Sequence, residues 1–186
     1  SSDLEYEYYL LNKPRGVVST SDDEHDRVTV VDGIQTEARI YPVGRLDKET
    51  TGALILTNDG EFTHYMTHPS YELDKRYRVS VDGELTYEVI NALKDGVKID
   101  GVEYRGVEIN AIQYIKKKNI TNFNIRLHEG KNRQIRKIFD HYQLPVRKLH
   151  RFALGPIFID DLQIGEYRPL KDFEVKKLIL TAKGLI

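Results

Sequence analysis

The sequence contains no cysteine and no tryptophan, and only one methionine among 186 residues. Without cysteine there are no disulfides, no thiolate metal sites and no cysteine nucleophile. No apolar run approaches the roughly 20 residues needed to span a bilayer, and the acidic start Ser1-Ser2-Asp3-Leu4-Glu5 lacks the basic and apolar regions of a signal peptide. A cytoplasmic protein is expected. Long like-charged tails, low-complexity tracts, repeats and Pro/Gly/Ser linkers are absent too, so the sequence marks no domain boundary. A single domain over 1–186, built as two lobes, is the expectation. With 40% hydrophobic and 31% charged residues the chain is rich enough in apolar side chains to fold throughout.

Excess charge is missing as well: the net charge is −1, which by itself argues against a nucleic-acid binder. The average conceals a local concentration. Between His128 and Arg151 stand Lys131, Arg133, Arg136, Lys137, Arg147, Lys148 and Arg151 against only Glu129 and Asp140, a local net of +5. Salt screens charges beyond roughly 10 Å, so such a patch attracts a polyanion even on a neutral protein. An ordinary solvated helix face fits the same count.

What is present reads as strands with helices inserted singly. Tyr6 to Leu11 is a strand, ended by the turn-prone Asn12-Lys13-Pro14-Arg15-Gly16. Ile40 to Val43 and Ala53 to Thr57 are strands flanking the loop Gly44 to Gly52. Asn58-Asp59-Gly60 caps a helix through Phe62, Tyr65 and Met66. Tyr77, Val79 and Val81 alternate with polar residues, the period of a half-buried strand. Thr86 caps a helix with Val89, Ile90 and Leu93 on one face and Gly96 at its end. Strands Val107 to Ile115 and Ile120 to Leu127 follow, joined at Lys116-Lys117-Lys118-Asn119. Asn132 opens a helix to Tyr142 that buries Ile135, Ile138, Phe139 and Tyr142 and shows Arg133, Arg136 and Lys137 on its other side. Strand-like segments follow Pro145, and Asp172 caps a last helix with Val175, Leu178 and Ile179 inside. The pattern predicts an α+β fold with a largely antiparallel, mixed sheet and helices packed on it. Neither GxxxxGK[ST] nor GxGxxG occurs, which removes the common nucleotide cradles.

Two segments concentrate chemistry. Tyr41-Pro42-Val43-Gly44-Arg45-Leu46-Asp47-Lys48-Glu49-Thr50-Thr51-Gly52 holds Asp47 in a loop between apolar strands, where a carboxylate serves as nucleophile or base, or simply closes an Asx turn. His128-Glu129-Gly130-Lys131-Asn132-Arg133-Gln134-Ile135-Arg136 opens a helix bearing two arginines, suited to phosphate or to a carboxylate partner. The six histidines form no ligand array; His64 and His68 are expected at a surface, and no metal is expected.

Together with Asn12-Lys13-Pro14-Arg15-Gly16-Val17 and Lys75-Arg76-Tyr77-Arg78-Val79, these segments resemble, in order, four motifs of the pseudouridine synthases of the RsuA/RluB group, over about Tyr8 to Leu178. The resemblance implies that family's catalytic fold with a central active-site cleft, no cofactor, and isomerisation of a uridine in ribosomal RNA. It makes Asp47 the essential carboxylate, Tyr77 the residue stacking on the base, and Arg136 the partner holding Asp47 ionised. RNA contacts would fall to Lys13, Arg45, Lys131, Asn132, Arg133, Lys137, Arg147, Lys148 and Arg151, which offset the cost of a few kcal/mol for extracting a nucleotide. Arg133-Gln134-Ile135-Arg136-Lys137, Gly155-Pro156 and Gly165-Glu166-Tyr167-Arg168 look closer to the large-subunit branch, implying 23S ribosomal RNA or an assembly intermediate as partner, and a monomer. Relatives of that group begin with a small RNA-binding domain of the S-four type, whereas this chain starts almost directly at the catalytic region. The competing readings are a 16S enzyme, a non-catalytic RNA-binding module, which would have lost Asp47, Tyr77 or Arg136, and a carboxylate hydrolase, which would need a second acid such as Glu49.

Overall fold

Alternating and amphipathic segments organise the chain into β1 (Tyr8–Lys13), β2 (Tyr41–Pro42), β3 (Thr51–Thr57), α1 (Gly60–Thr67), β4 (Lys75–Asp82), α2 (Tyr87–Lys94), β5 (Val97–Ile99), β6 (Val102–Tyr104), β7 (Glu108–Ile115), β8 (Ile120–Leu127), α3 (Gln134–His141), β9 (Val146–Leu154), β10 (Ile157–Phe158), β11 (Tyr167–Pro169) and α4 (Asp172–Ala182). The structure, a computed structural model, describes residues 5–23, 25 and 27–186; Ser1 to Leu4 of the acidic start lie outside them. The chain divides into two compact units, one of residues 1–73 and 152–186, the other of 74–151.

In the first unit β1 lies between β11 and β3, antiparallel to both, and β2 and β10 pair with β3 and with the end of β9. Leu10, Ala53 and Ile55 point into a core shared with Phe62 and Met66 of α1 and with Leu178 and Ala182 of α4. Burying each large apolar side chain stabilises by roughly 1.5–3 kcal/mol. Helix α1 begins where expected: Asp59 is the N-cap and accepts from the Phe62 N–H at 3.1 Å. The last helix is capped one residue earlier than expected, at Lys171. Glu174 accepts from the Lys171 N–H at 2.9 Å and from both terminal nitrogens of Arg168 at 2.8 and 2.9 Å. That bidentate pair fixes the start of α4, so Asp172 becomes its first helical residue.

In the second unit the strand order is β9-β4-β8-β7. Tyr77 sits opposite Ile125 and Val79 opposite Phe123, so these buried side chains share a face. Helix α3 packs on that face, the Phe139 ring 5.1 Å from the Phe123 ring. The other face is polar, with Arg78 opposite Asn124 and Ser80 opposite Asn122. Helix α3 spans Gln134–His141, shorter at both ends than the Asn132–Tyr142 read from the sequence, and Tyr142 is only half-buried. Arg133 at its N-cap has φ +51, which breaks the helical turn. The hairpin β5–β6 was not anticipated.

Candidate active site

The Asp47 loop, between β2 and β3, is pinned from three directions. Ser19 Oγ donates to the Leu46 carbonyl at 2.7 Å and accepts from the Leu46 N–H at 3.1 Å. The Lys48 carbonyl accepts from the Gly16 N–H at 2.8 Å and from Lys13 Nζ at 3.2 Å. Inside the loop, the Thr50 N–H closes a turn onto the Asp47 carbonyl at 2.9 Å. Buried Leu46 and Thr50 flank half-buried Asp47, while Arg45, Lys48 and Glu49 are exposed. The result is a backbone fixed on both sides of a half-buried carboxylate, and a catalytic side chain needs such a fixed mount.

Lys13 corrects an expectation. It is 0% exposed, and its ammonium also donates to the Pro14 carbonyl at 2.8 Å. Burial pushes it down to about 8, with the carboxylates of Asp47 and Glu49 opposing the shift. Its charge fastens the loop from within and is not offered to RNA, because the strand register opposite Gly52 turns the side chain inward.

The arginine segment lies in the second unit together with Tyr77, which is 9% exposed. One Glu129 oxygen accepts from the Arg105 N–H at 2.7 Å and from Gln134 Nε2 at 3.0 Å, and Gln134 Oε1 accepts from the Lys131 N–H at 3.1 Å. Gln134 is buried, so this amide acts as an internal strut for the turn that carries Arg133 and Arg136. Lys131 is exposed but occupied: its ammonium donates to the Glu103 carbonyl, stands 3.7 Å from Glu129 and lies 5.6 Å from the centre of the Tyr104 ring. The hairpin β5–β6 thereby holds the arginine turn.

Of the other residues expected to meet RNA, Arg45, Asn132, Arg133, Lys137, Arg147 and Lys148 are exposed, Arg147 pairing with Asp82 at 2.9 Å. Arg151 is the second correction: at 4% exposure it is a buried cation, inward-facing like Leu149 on β9, and not part of an open surface. Arg136 is half-buried. Asp47 belongs to the first unit, Tyr77 and Arg136 to the second. Sequence reasoning missed Ser19, Glu129 and Gln134 as positioning groups; nothing in a lone serine two residues past Val17 signals a loop anchor. His64 and His68 are exposed, their rings 4.6 Å apart. Among the described residues no group of three or more His, Asp or Glu is placed to hold a metal, and no helix is long and apolar enough to cross a membrane.

The α+β fold thus carries a carboxylate loop in one unit and a buried tyrosine with an arginine helix in the other. Residues 7–141 match the family described as RNA pseudouridylate synthase, and the chain belongs to that family. It is 38% identical over 172 residues to the ribosomal large subunit pseudouridine synthase B of Bacillus subtilis (strain 168), covering 92% of this chain and 70% of that protein. Against the dual-specificity RNA pseudouridine synthase RluF of Escherichia coli (strain K12) it is 35% identical over 165 residues, covering 89% of this chain and 54% of the relative. A crystal structure of a pseudouridylate synthase superposes with a TM-score of 0.82 at 28% identity, over 96% of this chain and 76% of that one.

Proposed function

We propose that this chain isomerises a uridine to pseudouridine in large-subunit ribosomal RNA, with Asp47 as the catalytic carboxylate. The observation that carries the proposal is the rigid Asp47 loop, whose backbone is tied to Lys13, Gly16 and Ser19 in a protein of the RNA pseudouridylate synthase family. The names of the relatives from Bacillus subtilis and Pseudomonas aeruginosa, both large-subunit enzymes, favour the large-subunit target. In this reading the carboxylate assists cleavage of the bond between uracil and ribose, the base turns, and it reattaches through carbon. No atoms are gained or lost and no cofactor is consumed. Asp47 stabilises or traps the electron-poor sugar carbon, as a carboxylate does in a retaining glycosidase. Tyr77 and Arg136 complete the proposed catalytic set, Tyr77 stacking on the base, and Arg45 fills the space left in the RNA stack. The exposed cations Arg133, Lys137, Arg147 and Lys148 contact phosphates. The protein acts as a monomer in the cytoplasm, on free RNA or an assembly intermediate.

The test is pseudouridine mapping of unmodified large-subunit ribosomal RNA after incubation with the chain and with Asp47→Asn. One new pseudouridine with the parent and none with the variant is expected. Equal modification by both removes Asp47 from the mechanism, and modification of small-subunit RNA alone overturns the target.

A further inference from the structure

Lys75 begins β4 opposite Leu127, on the same face as Tyr77 two residues later. The side chain is half-buried, and desolvation pushes its ammonium down to about 8. No hydrogen bond or ion pair of Nζ is found among the described residues. Two carboxylates, Asp74 and Glu129, are within electrostatic range. Both are committed elsewhere: Asp74 to Arg76 and Arg126 at 3.4 and 2.9 Å, Glu129 to Arg105, Gln134 and Lys131. The remaining charged neighbour is Arg151, a buried cation that depresses Lys75 further. Above Nζ lies Gly130, where even a Cβ would stand 3.2 Å from the nitrogen and 3.7 Å from Cε.

An ammonium has three donors and accepts nothing, and a buried charge is costly unless paired. A folded protein that holds Lys75 next to a second cation, under the one residue of the turn without a side chain, keeps an ammonium that no carboxylate pairs among the described residues. The geometry points to an anion site: we propose that Lys75 Nζ, reinforced by the field of Arg151 and left uncovered by Gly130, binds a phosphodiester oxygen of the RNA. This rests on the functional reading above, which supplies the phosphate. Lys75 is a binding residue on the Tyr77 face of the sheet, distinct from the exposed cations of α3 and β9.

Lys75→Met keeps the length of the side chain and removes the charge. Binding of an unmodified large-subunit transcript is measured between about 50 and 200 mM salt, beside denaturant unfolding of the same proteins. Lys75→Met should unfold at higher denaturant than the parent yet bind RNA about tenfold more weakly, with log K against log salt less steep by about 0.7–0.9. Lys75→Arg should keep the parent slope. Parent affinity should fall as pH rises through about 8, and Lys75→Arg should not follow it. Gly130→Ala should weaken binding in the same direction by crowding Nζ. An unchanged salt slope in Lys75→Met overturns the site whatever happens to stability, and a loss of stability with intact binding makes Lys75 structural. Inorganic phosphate that stabilises the parent and not Lys75→Met, with RNA affinity equal in both, assigns the site to a free anion and overturns the RNA ligand. If the parent binds no RNA, the proposed function and this inference fall together; if it binds and Lys75→Met binds alike, only the inference falls.

Discussion

The Lys13 ammonium donates to the carbonyl of Lys48 at 3.2 Å, on the residue that follows Asp47. Strand β1 therefore holds the Asp47 loop through a buried cation and a backbone oxygen. Lys13→Ala removes the donor, strands the Pro14 and Lys48 carbonyls and leaves a cavity. We predict a loss of about 2–4 kcal/mol in urea unfolding and a fall in kcat larger than any rise in KM. A rise in KM with kcat intact would place Lys13 outside the loop's support.

Stability should depend on pH in an unusual direction. Lys13 and Lys75 both sit near 8 when folded, below their ordinary value of 10.5. Between about 8 and 10.5 the unfolded chain holds more protons at these groups than the folded one, so their contribution to stability rises with pH. Tyr8, desolvated and bonded to Asp59, and Tyr9, desolvated and bonded to Glu7, are raised. Above about pH 10 the unfolded tyrosines ionise first, and stability is lost again. Denaturant midpoints across this range should pass through a maximum, and Lys13→Met should flatten its rising side.

Ser19→Ala deletes a hydroxyl that both donates to and accepts from Leu46. The two backbone groups are buried with it, so the cost should be about 1–3 kcal/mol. Single-turnover rates on RNA should drop while RNA affinity stays near that of the parent, because the serine touches the loop and not the ligand.

Glu129 offers a graded test of the arginine turn. Glu129→Gln retains an oxygen for the Arg105 and Gln134 donors and loses only the charge facing Lys131; Glu129→Ala loses all three contacts. The alanine variant should cost about 2 kcal/mol and about tenfold in kcat/KM, the glutamine variant well under half of that in free energy. Equal damage by both would mean that charge, not geometry, is what Glu129 supplies.

Strands β4, β7 and β8 and helices α1 and α2 were legible because each carries its own period and cap: Val79 and Val81 alternate, and Asp59 and Thr86 cap. The hairpin β5–β6 was missed although Asp100-Gly101 is a strong two-residue turn signal, and both residues do have positive φ, +50 and +79. Its strands are only three residues long, too short for alternation to register. Asp47, Tyr77 and Arg136 stood out through motif order. Lys13 and Arg151 were misread for one reason: charge is visible in a sequence, but which way a strand turns a long side chain is decided by register with partners far along the chain. The same blindness hid Lys75, whose significance lies in the partners it does not have.

The first unit is made of two stretches separated by the whole of the second. Leu178 and Ala182 of α4 share a core with Leu10, Val43 and Ala53, the last two flanking the Asp47 loop. During synthesis the strands around that loop emerge early, yet the core behind them closes only after the second unit and then α4 have been made. Contacts so distant in sequence form late and slowly. The contiguous second unit is free to organise first, so the Asp47 loop is among the last parts of a new molecule to become rigid.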